Sequence, residues 1–158
     1  MMLSDNEKYM LEAIRLSVEN VNKGGGPFGA VIVSDGNIIA SAVNDVILQN
    51  DPTAHAEINA IRTAAKKLGT ANLSGCEIYS SCEPCPMCLG AIYWAGIDRI
   101  YYGASRTDAE NAGFIDAEVY SEMATPPVKR KIPALQLLEK EAKEAFRKWD
   151  EKEDRINY

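Results

Sequence analysis

The sequence predicts an α/β protein: one domain built as a three-layer α/β/α sandwich around a mixed, mostly five-stranded sheet. Three observations lead there. Strand-like and helix-like segments alternate after a single hairpin, a pattern that puts helices on both faces of a sheet. The chain is 158 residues long, enough for one core. Its 46% apolar and 25% charged residues are the balance of a globular chain rather than a disordered one.

The elements follow in order. Met10, Ile14, Val18 and Val21 recur at helical spacing over residues 4–22, and Gly24-Gly25-Gly26-Pro27 stops that helix. Residues 30–34 and 37–43 read as strands joined by Asp35-Gly36, a pair that tolerates positive φ at both turn positions. Asp51-Pro52 is expected to open the next helix, with Asp51 as its cap and Gly69 as its end. Residues 77–81 form a short strand, 84–95 a helix ended by Gly96, and 97–103 another strand. A short helix is expected over 116–123 before Pro126-Pro127, and a fifth strand over 132–138. The last helix spans 139–152, with Leu138, Ala142, Ala145, Phe146 and Trp149 as its apolar stripe. On its other face Glu139–Lys143, Glu144–Lys148 and Glu151–Arg155 are favourable pairs four residues apart.

Charge and composition exclude several functions. No apolar run approaches the roughly 20 residues that cross a bilayer, and the first ten residues lack the basic flank and apolar stretch of an export signal. The chain is expected to be cytoplasmic, with no membrane partner. Seventeen Lys and Arg against 23 Asp and Glu give a net charge of −6. Nucleic-acid binding depends on clustered cations, and the one dense basic triplet is Lys129-Arg130-Lys131; no nucleic-acid partner is expected. The four cysteines crowd between Cys76 and Cys88, a poor disulfide framework but a good source of thiolate ligands.

Chemistry concentrates in residues 52–57, PTAHAE, and 82–88, CEPCPMC. Cys85 and Cys88 are three apart and share a helix face, and the early helical position of Cys85 favours its thiolate. Alone, C-x-x-C fits a redox pair or a chance spacing equally well. His55, the one histidine of the chain, adds an imidazole, and two thiolates with one imidazole fill three corners of a tetrahedral Zn²⁺ site with the fourth left open. Glu57 stands two residues on. His55 and Glu57 would point roughly 200° apart on an ideal helix, so both reach one site only if it lies end-on to the first turn.

H-x-E followed by P-C-x-x-C is the known signature of zinc nucleobase deaminases. At these residues the chain resembles the cytidine deaminase superfamily, and within it the small bacterial-type guanine deaminases. The likeness extends through residues 25–30 (GGPFGA), Asn44, residues 91–94 (AIYW), residues 113–116 (GFID) and Tyr158. It implies a cytidine deaminase-like fold and one zinc per chain on His55, Cys85 and Cys88. It also implies hydrolysis of guanine to xanthine and ammonia, with Glu57 shuttling the proton. Asp116 would assist proton transfer, Asn44 would read the purine edge, Phe28 and Trp94 would flank the ring, and Tyr158 would complete the site. A homodimer is implied, with 128–158 as a segment that exchanges between protomers.

Read by residue type alone, Asn44 is a turn residue, Asp116 a helix cap, Phe28 and Trp94 core, and Tyr158 an ordinary terminus. Guanosine or another nucleobase or nucleoside is the alternative substrate. A tRNA adenosine deaminase and a structural zinc module closed by Cys82 are more distant readings.

Overall fold

The computed structural model of the protein describes residues 3–156. They divide into two compact units, parted between Asp116 and Ala117. The first unit opens with helix α1, Asp5–Asn22. Ser4 caps it reciprocally: its hydroxyl accepts the Glu7 N–H while the Glu7 carboxylate accepts the Ser4 N–H. Strands β1, Gly29–Ser34, and β2, Asn37–Val43, pair antiparallel. Asp35 (φ 48°) and Gly36 (φ 73°) make their turn, as the dipeptide predicts.

A four-residue helix α2, Val46–Gln49, leads to α3, Ala56–Leu68. Then come β3, Cys76–Cys82; α4, Pro86–Trp94; β4, Arg99–Ala104; and α5, Arg106–Asn111. The sheet order is β2-β1-β3-β4, antiparallel except for the β3–β4 pair. Alternation along the strands divides the core. Ala30, Ile32 and Ile78 pack with Ala56, Ala60 and Ile92 on the α3–α4 side. Val31, Val33 and Tyr79 pack with Ala13 on the α1 side. Helix α1 lies close on the sheet: a Cβ at Gly29 would sit 2.4 Å from the Ala13 carbonyl oxygen, so only glycine fits there.

The second unit holds α6, Ala117–Ala124, a 3₁₀ turn at Pro127–Lys129, and α7, Glu139–Glu151.

Three expectations need correction. The sheet has four strands, not five: residues 132–138 carry no regular structure. Pro133 removes a ladder donor at the start of that run, and its backbone bonds, Ala134 N–H to the Pro127 carbonyl and Ala142 N–H to the Leu138 carbonyl, go to no strand. Helix α3 starts at Ala56 rather than after Asp51, because the Asp51 carboxylate accepts both the backbone N–H (2.8 Å) and the hydroxyl (2.7 Å) of Thr53 and holds DPT in a turn. On α7 the Glu139–Lys143 pair forms, but Arg147 takes both Glu144 and Glu151, and Arg155 pairs with Asp150. The forked guanidinium reaches two carboxylates at once.

Candidate active site

Two helix N-termini converge on the site. His55 is the N-cap of α3 and Cys85 the N-cap of α4, both in extended backbone and neither using its side chain to cap its own helix. Their side chains are therefore free to meet other groups, in the positive field of two first turns. Cys88 follows in the first turn of α4 and is buried. Cys85 Sγ and Cys88 Sγ each lie 3.5 Å from His55 Nδ1, and the three ligand atoms fall within 4.8 Å of one another.

That spacing fits a metal. Bonds of about 2.3 Å to sulfur and 2.0 Å to nitrogen at tetrahedral angles give a sulfur–nitrogen edge of about 3.5 Å. Three soft or borderline donors also match zinc better than a hard cation. The Cys85 thiol is pulled down to about 4, chiefly by the hydrogen bond from Cys88 and also by the imidazole, against the effect of burial. Cys88 is pushed up by that same bond and by burial, and His55 is raised by its bond to Cys85.

Glu57, the second residue of α3, is 6% exposed. His55 and Glu57 reach one place because the site lies end-on to the helix. The Ser80 hydroxyl donates to Glu57 Oε1 at 3.1 Å and the Cys88 thiol to Oε2 at 3.4 Å. Burial raises the proton affinity of this carboxyl, with the charge of Cys85 adding to it and the two hydrogen bonds opposing.

A cavity of ≈ 670 Å³ opens over these groups, lined in part by Phe28, Asn44, His55, Glu57, Cys85 and Asp116. That volume lies within the range of about 300–1,000 Å³ usual for small-molecule sites. Phe28 meets Phe114 edge-on, ring centroids 4.9 Å apart. Asn44 is buried, and its Oδ1 accepts the Val46 N–H at 3.3 Å. Burial raises the Asp116 carboxyl, opposed by the charge of Arg106.

Trp94 is not part of this assembly. It ends α4, is 79% exposed, and lines neither cavity nor core; nine helical steps from Cys85 carry it about 13 Å along the axis. Tyr158 lies outside the described residues. Cys76 and Cys82 are buried, and Cys82 also borders the cavity. Its thiol donates to the Ser105 carbonyl at 3.7 Å rather than joining the His55 cluster. Glu83 braces the start of α5, accepting the Arg106 N–H at 3.0 Å.

Ser80 escaped the sequence reading. The available signal was its register: it alternates with Cys76 and Ile78 on the core-facing side of β3, where a hydroxyl must find a partner.

This combination of an α/β sheet with an end-on His/Cys/Cys cluster and a buried glutamate defines a zinc-site deaminase architecture. Residues 3–104 match the cytidine and deoxycytidylate deaminase zinc-binding region, and the chain belongs to that family. It is 51% identical over 146 residues to guanine deaminase of Bacillus subtilis, covering 92% of this chain and 94% of that one. The crystal structure of the Bacillus subtilis guanine deaminase superposes with a TM-score of 0.94 at 50% identity, over 96% of this chain and 98% of that one. A tRNA-specific adenosine deaminase of Aquifex aeolicus is 36% identical over 80% of this chain and 81% of its own. A guanine deaminase structure from Nitrosomonas europaea matches with a TM-score of 0.69 at 35% identity, over 73% of this chain and 68% of that one. Among the described residues no helix is long and apolar enough to cross a membrane.

Proposed function

We propose that this chain is a zinc-dependent guanine aminohydrolase, converting guanine and water to xanthine and ammonia. The carrying observation is that one cavity is bordered by a His55/Cys85/Cys88 cluster of metal spacing, by buried Glu57, and by Asn44 and Asp116. The 51% identity to a guanine deaminase, sustained over 92% of the chain, supports guanine as the base. The tRNA-specific relative from Aquifex aeolicus is matched less closely and over a shorter stretch.

His55, Cys85 and Cys88 would hold the zinc, which when bound acidifies a water so that a nucleophile is available near neutral pH. Glu57 accepts the proton of the attacking water and delivers it to ring N3, beside the amino-bearing C2. Ser80 keeps one oxygen of that carboxylate in place so that the other is presented to substrate. The Asn44 carboxamide has its oxygen engaged by Val46. Its amino group is left for an acceptor on the purine edge. Asp116, which burial makes a readier proton carrier, serves the departing amine. Phe28, held edge-on by Phe114, presents an apolar wall to the ring.

The working form is read as a cytoplasmic homodimer in which residues 128–158, with Tyr158 at their end, exchange between protomers. Exposed Ile132, Leu135, Leu137 and Phe146 support this, since such a surface is of the kind a second copy covers. All four cysteines are free, in keeping with a reducing compartment.

Ammonia release from a panel of guanine, guanosine, adenine and cytosine tests the substrate; better turnover of guanosine than guanine overturns the choice of base. Deleting residues 154–158 tests the tail: activity falls sharply if it completes a site and holds if it does not.

A further inference from the structure

Helix α1 ends in an anomaly. Its buried stripe runs Ala13, Ser17, Asn20, becoming more polar toward the C-terminus. Asparagine costs up to about 0.7 kcal/mol against alanine inside a helix, and its carboxamide is costly to bury without partners. Asn20 is nevertheless 3% exposed and does not line the catalytic cavity.

Its side-chain bonds lead to that cavity's wall. Asn20 Nδ2 donates to the Asn44 carbonyl and to the Gly26 carbonyl, each at 2.8 Å. The Asn20 carbonyl accepts the Gly25 N–H at 2.9 Å. Asn44 in turn gives its own N–H to the Phe28 carbonyl at 3.1 Å. One side chain thus joins the Gly-Gly-Pro-Phe loop to the end of β2, the two segments that supply Phe28 and Asn44.

The packing around these amides has no slack. A Cβ on Gly25 would lie 2.3 Å from Asn20 Nδ2, and one on Gly26 would lie 2.9 Å from Asn44 Oδ1. The loop carries glycines there because the two carboxamides occupy the space a side chain needs.

We infer that Asn20 is a positioning residue for base recognition, clamping the Asn44 backbone and the glycine loop so that the Asn44 carboxamide meets the purine edge at one fixed distance. This rests on the guanine reading above, and the experiment separates the two. Binding is measured by calorimetry in the holoenzyme carrying Glu57→Gln, whose suppressed turnover leaves guanine intact.

In that background Asn20→Ala weakens guanine binding at least tenfold while zinc stays at one per chain. Asn44→Ala weakens it comparably, and adding Asn20→Ala to Asn44→Ala costs less than a further threefold, because both act through one contact. Gly25→Ala, which presses on the Asn20 amide, follows the same pattern and decides the matter if Asn20→Ala does not fold. Independent, multiplying losses refute the inference, as do a loss under threefold from Asn20→Ala or from Asn44→Ala, or zinc lost from a folded variant. In each of those cases guanine turnover by the wild-type holoenzyme leaves the functional reading standing. A wild-type holoenzyme that does not turn over guanine removes both.

Discussion

Glu57→Gln isolates proton transfer from every other contribution of the site. The amide is isosteric, and its oxygen can still accept the Ser80 hydroxyl at the 3.1 Å the carboxylate now uses. His55, Cys85 and Cys88 are untouched, so zinc stoichiometry should remain one per chain. What disappears is a base able to take a proton from water and return it to the ring. A positioned general base is worth about 10²–10⁴ in rate, which is about 3–5.5 kcal/mol of barrier. Because Glu57 is 6% exposed, no bulk water can take over its role cheaply. Removing a carboxyl whose burial disfavours its charge should also leave the fold at least as stable. The assay is ammonia release from guanine alongside metal analysis and a thermal melt. A variant that keeps zinc and fold but retains kcat within threefold of wild type refutes the proton-shuttle assignment.

Ser80→Ala should lower kcat by about tenfold or more, since a buried hydrogen bond to a charged group is worth about 1.5–3 kcal/mol, with KM little changed; steady-state kinetics on guanine check it. Removing zinc with a chelator should abolish activity and expose one fast-alkylating thiol at pH 7. Cys85, pulled down to about 4, is then thiolate, whereas Cys82, pushed up to about 11, is almost wholly protonated. Peptide mapping after iodoacetamide should find Cys85 labelled first in the metal-free protein and protected in the holoenzyme. Gly29→Ala forces a Cβ against the Ala13 carbonyl and should cost about 1–3 kcal/mol of stability, read as a lower urea midpoint.

What sequence reading reached, and what it missed, follows from how local each determinant is. His55, Glu57, Cys85 and Cys88 were legible because their chemistry depends on spacings of two and three residues within single elements. The Asp35-Gly36 turn was legible for the same reason. Asp51-Pro52 misled because a cap and an Asx turn begin with the same residue, and the Thr53 hydroxyl tips the choice. Residues 132–138 look like a strand by apolar content, but a strand exists only where a neighbour pairs with it. Trp94 joins the site only through the family resemblance, and the length of α4 carries it away. Ser80 and Asn20 were invisible for a deeper reason. Each is an ordinary polar residue whose partner lies 23 or 24 positions away, so its role exists only once the sheet is assembled.

That separation bears on how the site is built. The candidate metal donors and Glu57 sit at the N-termini of α3 and α4, where short-range geometry places them against one another. Phe28 and Asn44 sit instead on the loop before β1 and just after β2, with no regular element fixing their distance from the His55/Cys85/Cys88 cluster. Such segments need cross-links to be as rigid as a helix terminus. The Asn20 carboxamide supplies one on the α1 side. Asn59 supplies another on the α3 side, its Nδ2 donating to the Val43 carbonyl at 3.1 Å and the Ala54 carbonyl at 3.3 Å. The residue that follows Val43 is Asn44, so the end of β2 is gripped from both helical layers. The His55/Cys85/Cys88 cluster is thus fixed by helix ends, whereas the cavity wall at Asn44 is held by side-chain amides reaching across the fold. Substitution at Asn20 should therefore disturb substrate choice before it disturbs metal binding.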